Sequence, residues 1–342
     1  MSTPPTEADL QAELAQLTTL RAAIAQAVVG QDDVVEQLLI ALLAGGHCLL
    51  EGVPGLGKTL LVRSLGQALD LPFRRVQFTP DLMPSDIIGT EILEEDHGTG
   101  RRAFKFQPGP VFTSLLLADE LNRTPPKTQA ALLEAMQEHT VSYAGVTHAL
   151  PAPFFVLATQ NPIEQAGTYP LPEAQLDRFL LHVRVDYPSE AEERDIITQT
   201  TGTRAAAVPR VMGGDAILAL QSRVREVHFG DDLLDWVTRL VRASRPRAGA
   251  TGKGATDEDA THEVRQWLRW GAGPRAGQSL VLAAKARALL HGRLAATRDD
   301  IHALAAPVLR HRLLLSFAAE AERKSADDIV AMLLRNVLFA AS

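Results

Sequence analysis

The sequence has little cysteine, no long apolar run and no basic start. Its one cysteine, Cys48, excludes an internal disulfide and is typical of a reducing compartment. No apolar run reaches the roughly 20 residues that cross a bilayer. The acidic N-terminal residues lack the basic start and the apolar core of a signal peptide. These absences predict a cytoplasmic protein that does not insert into a membrane.

Positively charged residues are fewer than negatively charged ones. The 342 residues carry 34 Lys and Arg against 41 Asp and Glu, which gives a formal net charge of −7. Tight, nonspecific binding to duplex nucleic acid requires clustered Lys and Arg, so this balance argues against it. The ten histidines are scattered, and no Cys/His cluster has the spacing of metal ligands. We therefore expect no nucleic-acid partner and no transition metal.

The first half of the chain alternates short apolar runs with helical patterns. Apolar runs separated by helices fit a parallel sheet that is covered on both faces. After about residue 187, apolar positions recur at helical spacing instead, and Thr297 with Asp300 resembles an N-terminal capping box. These patterns predict an α/β domain followed by an all-α domain. The predicted strands lie in HCLLEG (47–52), FRRVQFT (73–79), VFTSLLLADE (111–120) and FFVLAT (154–159).

Two further stretches are predicted to form β-hairpins. The chain between Thr79 and Asp119 is longer than the dozen or so residues that a helical crossover needs, and the surplus alternates short strands around DHGTG. A second hairpin is predicted in TVSYAGVTHAL, with Ala144 and Gly145 at its turn. The stretch 245–263 is rich in Gly, Thr and acidic residues, which predicts an exposed loop.

A glycine-rich stretch, GVPGLGKT, fits the phosphate-binding pattern of Gly, any four residues, Gly, Lys and then Ser or Thr. It follows an apolar run and opens a helical pattern, which is the context that this motif requires. Gly52, Gly55 and Gly57 permit the backbone angles that turn successive amides toward a phosphate. Lys58 is expected to reach the β- and γ-phosphates, and the Thr59 hydroxyl is expected to bind Mg²⁺.

A second apolar run, LLLADE, ends in two adjacent acids. Beside a phosphate-binding loop, Asp119 is expected to lie next to the magnesium ion, and Glu120 to orient or deprotonate an attacking water. The adjacent glutamate indicates a hydrolase rather than a kinase, in which another substrate accepts the phosphate. On its own an apolar run ending in two acids is weak evidence, but the phosphate-binding loop makes the pair specific.

The residues alone leave the role of two polar positions open. Asn161 follows an apolar strand, where its amide could contact the γ-phosphate or water, but Asn-Pro is equally typical of a turn. Arg178 lies in LPEAQLDRF, where a salt-bridged loop would explain the same letters. Spacing assigns neither residue.

Taken together, these stretches resemble the MoxR family of AAA+ ATPases. The resemblance covers nearly the whole chain and is carried by VVGQ, GVPGLGKT, ADELNRTPPKTQAALLEAMQE, ATQNPIEQAGTYPLPEAQLDRF, GAGPRA and PVLRHR. It implies a P-loop AAA+ core, with a parallel sheet, flanking helices and two β-hairpin insertions, followed by an all-α C-terminal lid. The implied units are an N-terminal helix and linker (1–30), the nucleotide-binding domain (31–190) and the lid (191–342).

The resemblance also implies roles for single residues. Asn161 matches the family's first sensor, and Arg178 matches the arginine finger, which acts on the nucleotide of the neighbouring subunit. Arg275 matches the second sensor, a lid arginine that reaches back to the γ-phosphate. Thr59 and Asp119 are the expected Mg²⁺ residues. The residues expected to bind ATP are Val29, Gly30, Gly52, Pro54, Gly55, Leu56, Gly57, Lys58, Thr59 and Leu60.

The implied activity is Mg²⁺-dependent ATP hydrolysis between the subunits of a homo-oligomeric ring, with a hexamer expected. Such a ring would remodel, mature or activate a protein client, and the family's expected clients contain a von Willebrand factor A domain. Three alternatives stay open: a magnesium-chelatase-type motor subunit, a nucleic-acid motor of the same clade, and a nucleotide-gated scaffold without useful turnover. The intact Glu120 argues against the scaffold, and the acidic balance argues against the nucleic-acid motor.

Overall fold

The computed structural model describes residues 7–25, 28, 30–53, 57–95, 102–161, 167–201, 208–245 and 264–337. Its helices are α1 (Glu7–Ala25), α2 (Asp32–Leu43), α3 (Lys58–Ala68), α4 (Pro84–Ile88), α5 (Pro126–Glu138), α6 (Glu173–Leu176), α7 (Glu190–Thr201), α8 (Gly214–Glu226), α9 (Asp231–Ala243), α10 (Pro274–Leu290), α11 (Arg298–Leu309), α12 (Phe317–Ala321) and α13 (Ala326–Asn336). Its strands are β1 (Cys48–Gly52), β2 (Phe73–Gln77), β3 (Gly89–Glu95), β4 (Arg102–Pro108), β5 (Leu115–Asp119), β6 (Thr140–Tyr143), β7 (Val146–Ala149), β8 (Phe155–Gln160), β9 (Leu181–Val185), β10 (Leu268–Trp270) and β11 (Leu314–Leu315).

Five parallel strands form the central sheet in the order β2-β5-β8-β1-β9. Four of them are the strands predicted from apolar runs. The fifth, β9, is not predicted because its buried residues alternate with His182 and Arg184, so no continuous apolar run marks it. The parallel order places β1, the strand that leads into the glycine-rich loop, between β8 and β9.

Both faces of this sheet are buried. Successive side chains of a strand point to opposite faces. Leu115 and Leu117 of β5 accordingly join an apolar cluster with residues of α1, α2 and α3. Leu116 and Ala118 of the same strand join a second cluster with residues of α5. Burial on both sides explains why β1, β5 and β8 appear in the sequence as nearly continuous apolar runs rather than as an alternation.

Two antiparallel hairpins interrupt the α/β order, as predicted. β3 pairs with β4 after the short helix α4, and β6 pairs with β7 around Ala144 and Gly145. Phe106 of β4 stacks on His148 of β7, with ring centroids 4.1 Å apart and an angle of 15° between the ring planes. This contact joins the two hairpins. The DHGTG turn of the first hairpin lies outside the described residues.

The C-terminal part of the chain is helical from α8 to α13, as predicted, and one short antiparallel strand pair, β10 with β11, is added to the helices. The buried apolar residues of this helical part belong to the same cluster as those of α1 and α2. The lid therefore packs against the core. The predicted unit boundaries, after residues 30 and 190, stay predictions. None of the described helices combines the length and the apolar character that a membrane crossing requires.

Asp300 is a fully buried carboxylate in the first turn of α11. It accepts hydrogen bonds from Arg287 Nη1 at 2.7 Å, from Arg293 Nη2 at 2.6 Å and from the Thr297 backbone N–H at 2.8 Å. The last of these completes the predicted capping box with Thr297. Burial alone would raise the pKa of Asp300, but the hydrogen bonds from Arg293, Thr297 and Arg287 outweigh it and lower the pKa.

We expect Asp300→Asn to lower the free energy of unfolding by about 3 kcal/mol, because Arg293 loses its buried counter-charge and Arg287 keeps only its ion pair with Glu36. The native pKa is lowered, so the stabilisation from this carboxylate is present above the unfolded pKa of about 3.9 and is lost as the pH falls through the native pKa. The difference between wild type and variant, measured by urea unfolding, should therefore be large at pH 7 and shrink in acid.

The matched control is Asp328→Asn, which changes the carboxylate of the exposed capping box of α13. Its loss of stability should be much smaller than that of Asp300→Asn. Equal losses for the two variants would contradict the role given to burial.

Candidate functional site

Three neighbouring strands of the sheet end at the same edge, each next to a predicted site residue. β1 leads into the glycine-rich loop, β5 ends at Asp119, and β8, which lies between them, is followed by Asn161. Asn161 is buried at this position. The carboxyl ends of parallel strands form the usual ligand-binding edge of an α/β sheet. The sheet order therefore brings together three predicted motifs that are far apart in sequence.

The glycine-rich loop joins α3 through a left-handed residue. Gly57 precedes the helix at φ +72°, a conformation that favours glycine. Lys58 is the first helical residue, and its Nζ donates to the carbonyl oxygen of Gly52 at the other end of the loop. Burial lowers the pKa of Lys58, and the negative charges of Asp119 and Glu120 partly offset this effect. The ammonium group thus lies within the field of both acids.

Asp119 is held by a cation and a hydroxyl. Arg75 of β2 forms an ion pair with Asp119, with Nη2 2.6 Å and Nε 3.0 Å from Oδ2. The Thr159 hydroxyl donates to Oδ1 over 2.6 Å. Both carboxylate oxygens are thereby oriented by neighbouring strands.

Glu120 adopts a backbone conformation that is uncommon for a residue with a side chain, at φ +57°. Its N–H donates to the Thr159 hydroxyl oxygen over 2.8 Å. Its carboxylate accepts hydrogen bonds from Gln77 Nε2 at 2.7 Å and from Arg123 Nη1 at 2.9 Å. Strain of this kind is typical of functional positions. Here one hydrogen bond holds the backbone of Glu120, and two fix where its carboxylate points.

Arg178 lies at the opposite edge of the sheet. Three residues after it β9 begins, and Leu181 at the start of β9 lies opposite Cys48 at the start of β1. Arg178 Nη1 donates to the carbonyl oxygen of Leu133 in α5 over 2.8 Å. Gly52 is four residues further along β1, so about 13 Å of strand separates this edge from the beginning of the glycine-rich loop.

Arg275 lies beside Arg178. Its Nη1 is 3.5 Å from Oδ2 of Asp177, and both arginines line a cavity of about 170 Å³ together with Met136 and Gln137. The structure thus places Arg275 beside Asp177 and the turn that carries Arg178. The expectation that Arg275 reaches the γ-phosphate stays a prediction.

Comparison with known proteins identifies the fold and the family of this chain. The chain matches the ATPase family associated with various cellular activities (AAA) over residues 47–181 and the AAA lid domain over residues 260–333. It is 43% identical to the protein "Chaperone MoxR1" of Mycobacterium tuberculosis, over 98% of this chain and 85% of that protein. The chain belongs to the MoxR family of AAA+ ATPases.

Two further relatives support membership of the MoxR family. "Protein MoxR" of Paracoccus denitrificans is 35% identical, over 91% of this chain and 92% of its own length. A crystal structure of a protein assigned as an ATPase, from Cytophaga hutchinsonii, superposes with a TM-score of 0.88 at 37% identity and covers 98% of both chains. The predicted AAA+ core and lid are thus confirmed, and so is the assignment as an ATPase.

Not all predicted nucleotide-binding residues of this MoxR-family chain can be placed. Val29, Pro54, Gly55 and Leu56 lie outside the described residues. Thr59 is half-buried in the first turn of α3, and Leu60 beside it is exposed. Gly30, at φ +73°, lines a cavity of about 500 Å³ with Val185, Tyr187, Arg310 and Asp327 at the carboxyl end of β9.

Sequence reasoning missed the side chains that hold the two acids. Arg75 and Gln77 are two residues apart in β2, so their side chains point to the same face of the sheet. Gln77 lies opposite Asp119 in the β2–β5 register. Arg75 Nη2 also donates to Gln77 Oε1 over 2.7 Å. The signal was present as two polar residues two apart in a predicted strand, but only the strand order shows which acids they face.

The string GAGPRA is explained by close packing. A Cβ added at Gly271 would lie 2.2 Å from the carbonyl oxygen of Ser244, so a larger residue does not fit there. Gly273 then caps α10, with Pro274 as the first helical residue, which suits proline because that position needs no N–H donor. Arg275 is thereby fixed in the first turn of α10.

The residues at the glycine-rich loop fit a nucleotide with a hard cation. The Thr59 hydroxyl and the Asp119 carboxylate are oxygen donors, which Mg²⁺ prefers. Within the described ranges, no three His, Cys, Asp or Glu side chains are grouped so that they could hold a metal ion. A Mg²⁺ ion here would therefore take most of its ligands from phosphate and water, as this ion commonly does beside a nucleotide.

We expect Lys58→Ala to weaken the binding of the fluorescent analogue mant-ATP at least about 30-fold, because one charge-assisted hydrogen bond is worth about 2 kcal/mol. The measurement is fluorescence titration in the presence of Mg²⁺. Lys285→Ala is the matched control, because it removes an ammonium group that donates to the Arg225 carbonyl in the lid. Unchanged affinity of Lys58→Ala would contradict the placement of the phosphates.

Proposed function

We propose that this chain hydrolyses Mg²⁺-ATP at the interfaces of a homo-oligomeric ring, with a hexamer expected. Each subunit contributes the glycine-rich loop of one site and the arginine finger of the next. The observation that carries this proposal is the position of Arg178, at the edge of the sheet opposite its own Lys58. Because the strands between them are fixed in register, no rotation of the arginine side chain closes the gap. In this proposal the finger therefore acts on the nucleotide of another subunit.

Each residue at the loop has a chemical task in this proposal. When ATP binds, the Lys58 ammonium group would leave the Gly52 carbonyl and bind the β- and γ-phosphates, which attract it more strongly. Thr59 and Asp119 would hold Mg²⁺, which would supply positive charge against the negative charge that develops on the phosphate. Asn161, between the two motifs, is placed to contact the γ-phosphate or the attacking water.

Glu120 is the proposed base for the attacking water. Its carboxylate is anchored by Gln77 and Arg123, so it does not have to be ordered during the reaction. Asp119 is held by a different side chain, through its ion pair with Arg75. Transfer of the water proton to a carboxylate is the step that distinguishes hydrolysis from nucleotide binding alone.

Arg275 is proposed to act together with Arg178. Both arginines line one cavity, so both face the same neighbouring subunit in a ring. Two guanidinium groups at the γ-phosphate would stabilise the negative charge of the transition state.

Chaperone-like work on a protein client is the proposed output of the ATPase cycle. The name of the Mycobacterium tuberculosis relative supports it. The joined hairpins offer a surface for the client, because Leu93 and Phe104, which pair across β3 and β4, are 55% and 73% exposed. The expected client contains a von Willebrand factor A domain. We expect the ring to remodel it in the cytoplasm, with no nucleic-acid partner.

Mixing two inactive variants tests the shared site. Arg178→Ala should keep mant-ATP binding and lose about 10³-fold or more in kcat, the usual contribution of an arginine finger. Lys58→Ala should lose nucleotide binding but keep its finger. In an equal mixture about one interface in four pairs an intact loop with an intact finger, so up to about a quarter of wild-type hydrolysis should return.

Arg335→Ala is the matched control for this experiment, because it removes an exposed lid arginine on α13. It should hydrolyse ATP like the wild type. If the mixture of Arg178→Ala and Lys58→Ala stays inactive although mixed oligomers form, the site is not shared between subunits.

A further inference from the structure

A buried arginine ties the lid to the turn that carries Arg178. Arg312 belongs to the 3-10 helix Arg310–Arg312, and its side chain is almost completely buried. It donates to the carbonyl oxygens of Phe179 at 2.8 Å and Leu180 at 3.3 Å, on the two residues that follow Arg178. The backbone around the proposed finger is thus held by a lid side chain.

The same arginine has a charged partner directly before the finger. Arg312 Nε donates to Oδ1 of Asp177 over 2.7 Å. The other carboxylate oxygen, Oδ2, faces Arg275 Nη1 at 3.5 Å. Asp177 therefore lies between the buried Arg312 and the exposed Arg275, and its neighbour in sequence is Arg178.

The energetics make Asp177 hard to replace. Burial lowers the pKa of Arg312, and the hydrogen bond and charge of Asp177 offset this effect only in part. A buried guanidinium that loses its counter-charge is strongly destabilised relative to the paired state. The turn 177–180 can therefore separate from the lid only if the Arg312 guanidinium is exposed to solvent or stays buried without its counter-charge. We therefore expect the turn and the lid to move together.

The other end of the same 3-10 helix faces the nucleotide side. Arg310 Nη1 donates to the His182 carbonyl over 2.8 Å, and its Nε binds Asp327 at 2.9 Å. Arg310 and Asp327 also line the 500 Å³ cavity that contains Gly30. Three consecutive residues thus connect the subunit's own cavity with the turn that carries its finger.

We propose that Asp177 and Arg312 are positioning residues that lock the finger turn to the lid, so that Arg178 and Arg275 meet the neighbouring nucleotide as one unit. This inference rests on the proposed function, because it takes Arg178 to be the finger. A lid movement set by one subunit's nucleotide is then transmitted to the site of the next subunit.

Asp177→Asn tests this inference, because it keeps the shape of the side chain and removes its charge. Misplacing a catalytic group by about 1 Å costs up to about 10²-fold in rate, so we expect kcat to fall about 10- to 100-fold. The Kd for mant-ATP should stay within about twofold, because the glycine-rich loop of the variant is intact. Adding Lys58→Ala subunits, whose fingers are intact, should restore hydrolysis.

Glu36→Gln is the matched control, because it breaks another ion cluster between core and lid. Glu36 of α2 binds Arg287 of α10 at 3.1 Å and Arg21 of α1 at 2.9 Å, away from the finger. This variant should keep kcat within about twofold, as expected of a pair that only adds stability. If Glu36→Gln lowers kcat as much as Asp177→Asn does, Asp177 is only one of several contacts between core and lid, and the inference is wrong.

Two further outcomes separate the inference from the proposed function. If Arg178→Ala is inactive but Asp177→Asn keeps full kcat, the shared site stands and the positioning role is wrong. If Asp177→Asn is inactive and Lys58→Ala subunits do not rescue it, the defect lies in its own loop and the inference is also wrong. If Arg178→Ala hydrolyses ATP normally, the proposed function fails and the inference fails with it.

Discussion

The parallel pairing of β1 with β9 is the constraint on which the rest of this account depends. It fixes the glycine-rich loop at one edge of the sheet and the turn with Arg178 at the other, about 13 Å of strand apart. In the proposed function, a subunit built in this way carries two halves of different sites. Association of subunits would then be a chemical requirement of hydrolysis, because the triphosphate would need both the cradle of one subunit and the guanidinium of the next.

Within each half, charged groups are held in place by partners from other elements of the fold. Asp119 and Glu120 follow one another in sequence but are anchored separately, by Arg75 and by Gln77 of β2. Opposite them, Asp177 joins Arg275 to the buried Arg312. Both arrangements orient a side chain before the substrate arrives, which lowers the cost of ordering it in the transition state.

Much of the fold could be predicted because local patterns carry it. Strands buried on both faces appear as apolar runs, and the Thr297 capping box follows from two residues three positions apart. β9 was missed because its polar residues interrupt the run. The position of Arg275 and its contact with Asp177 could not be predicted, because they depend on packing between residues 98 positions apart, which leaves no local pattern.

The most direct test of the central claim is a cryo-EM structure of the Glu120→Gln assembly with ATP and Mg²⁺, in which hydrolysis is blocked. The account predicts that the Arg178 guanidinium of each subunit lies at hydrogen-bond distance, about 3 Å, from the γ-phosphate bound to the next subunit's Lys58. An assembly in which every Arg178 points away from all bound nucleotides would contradict it.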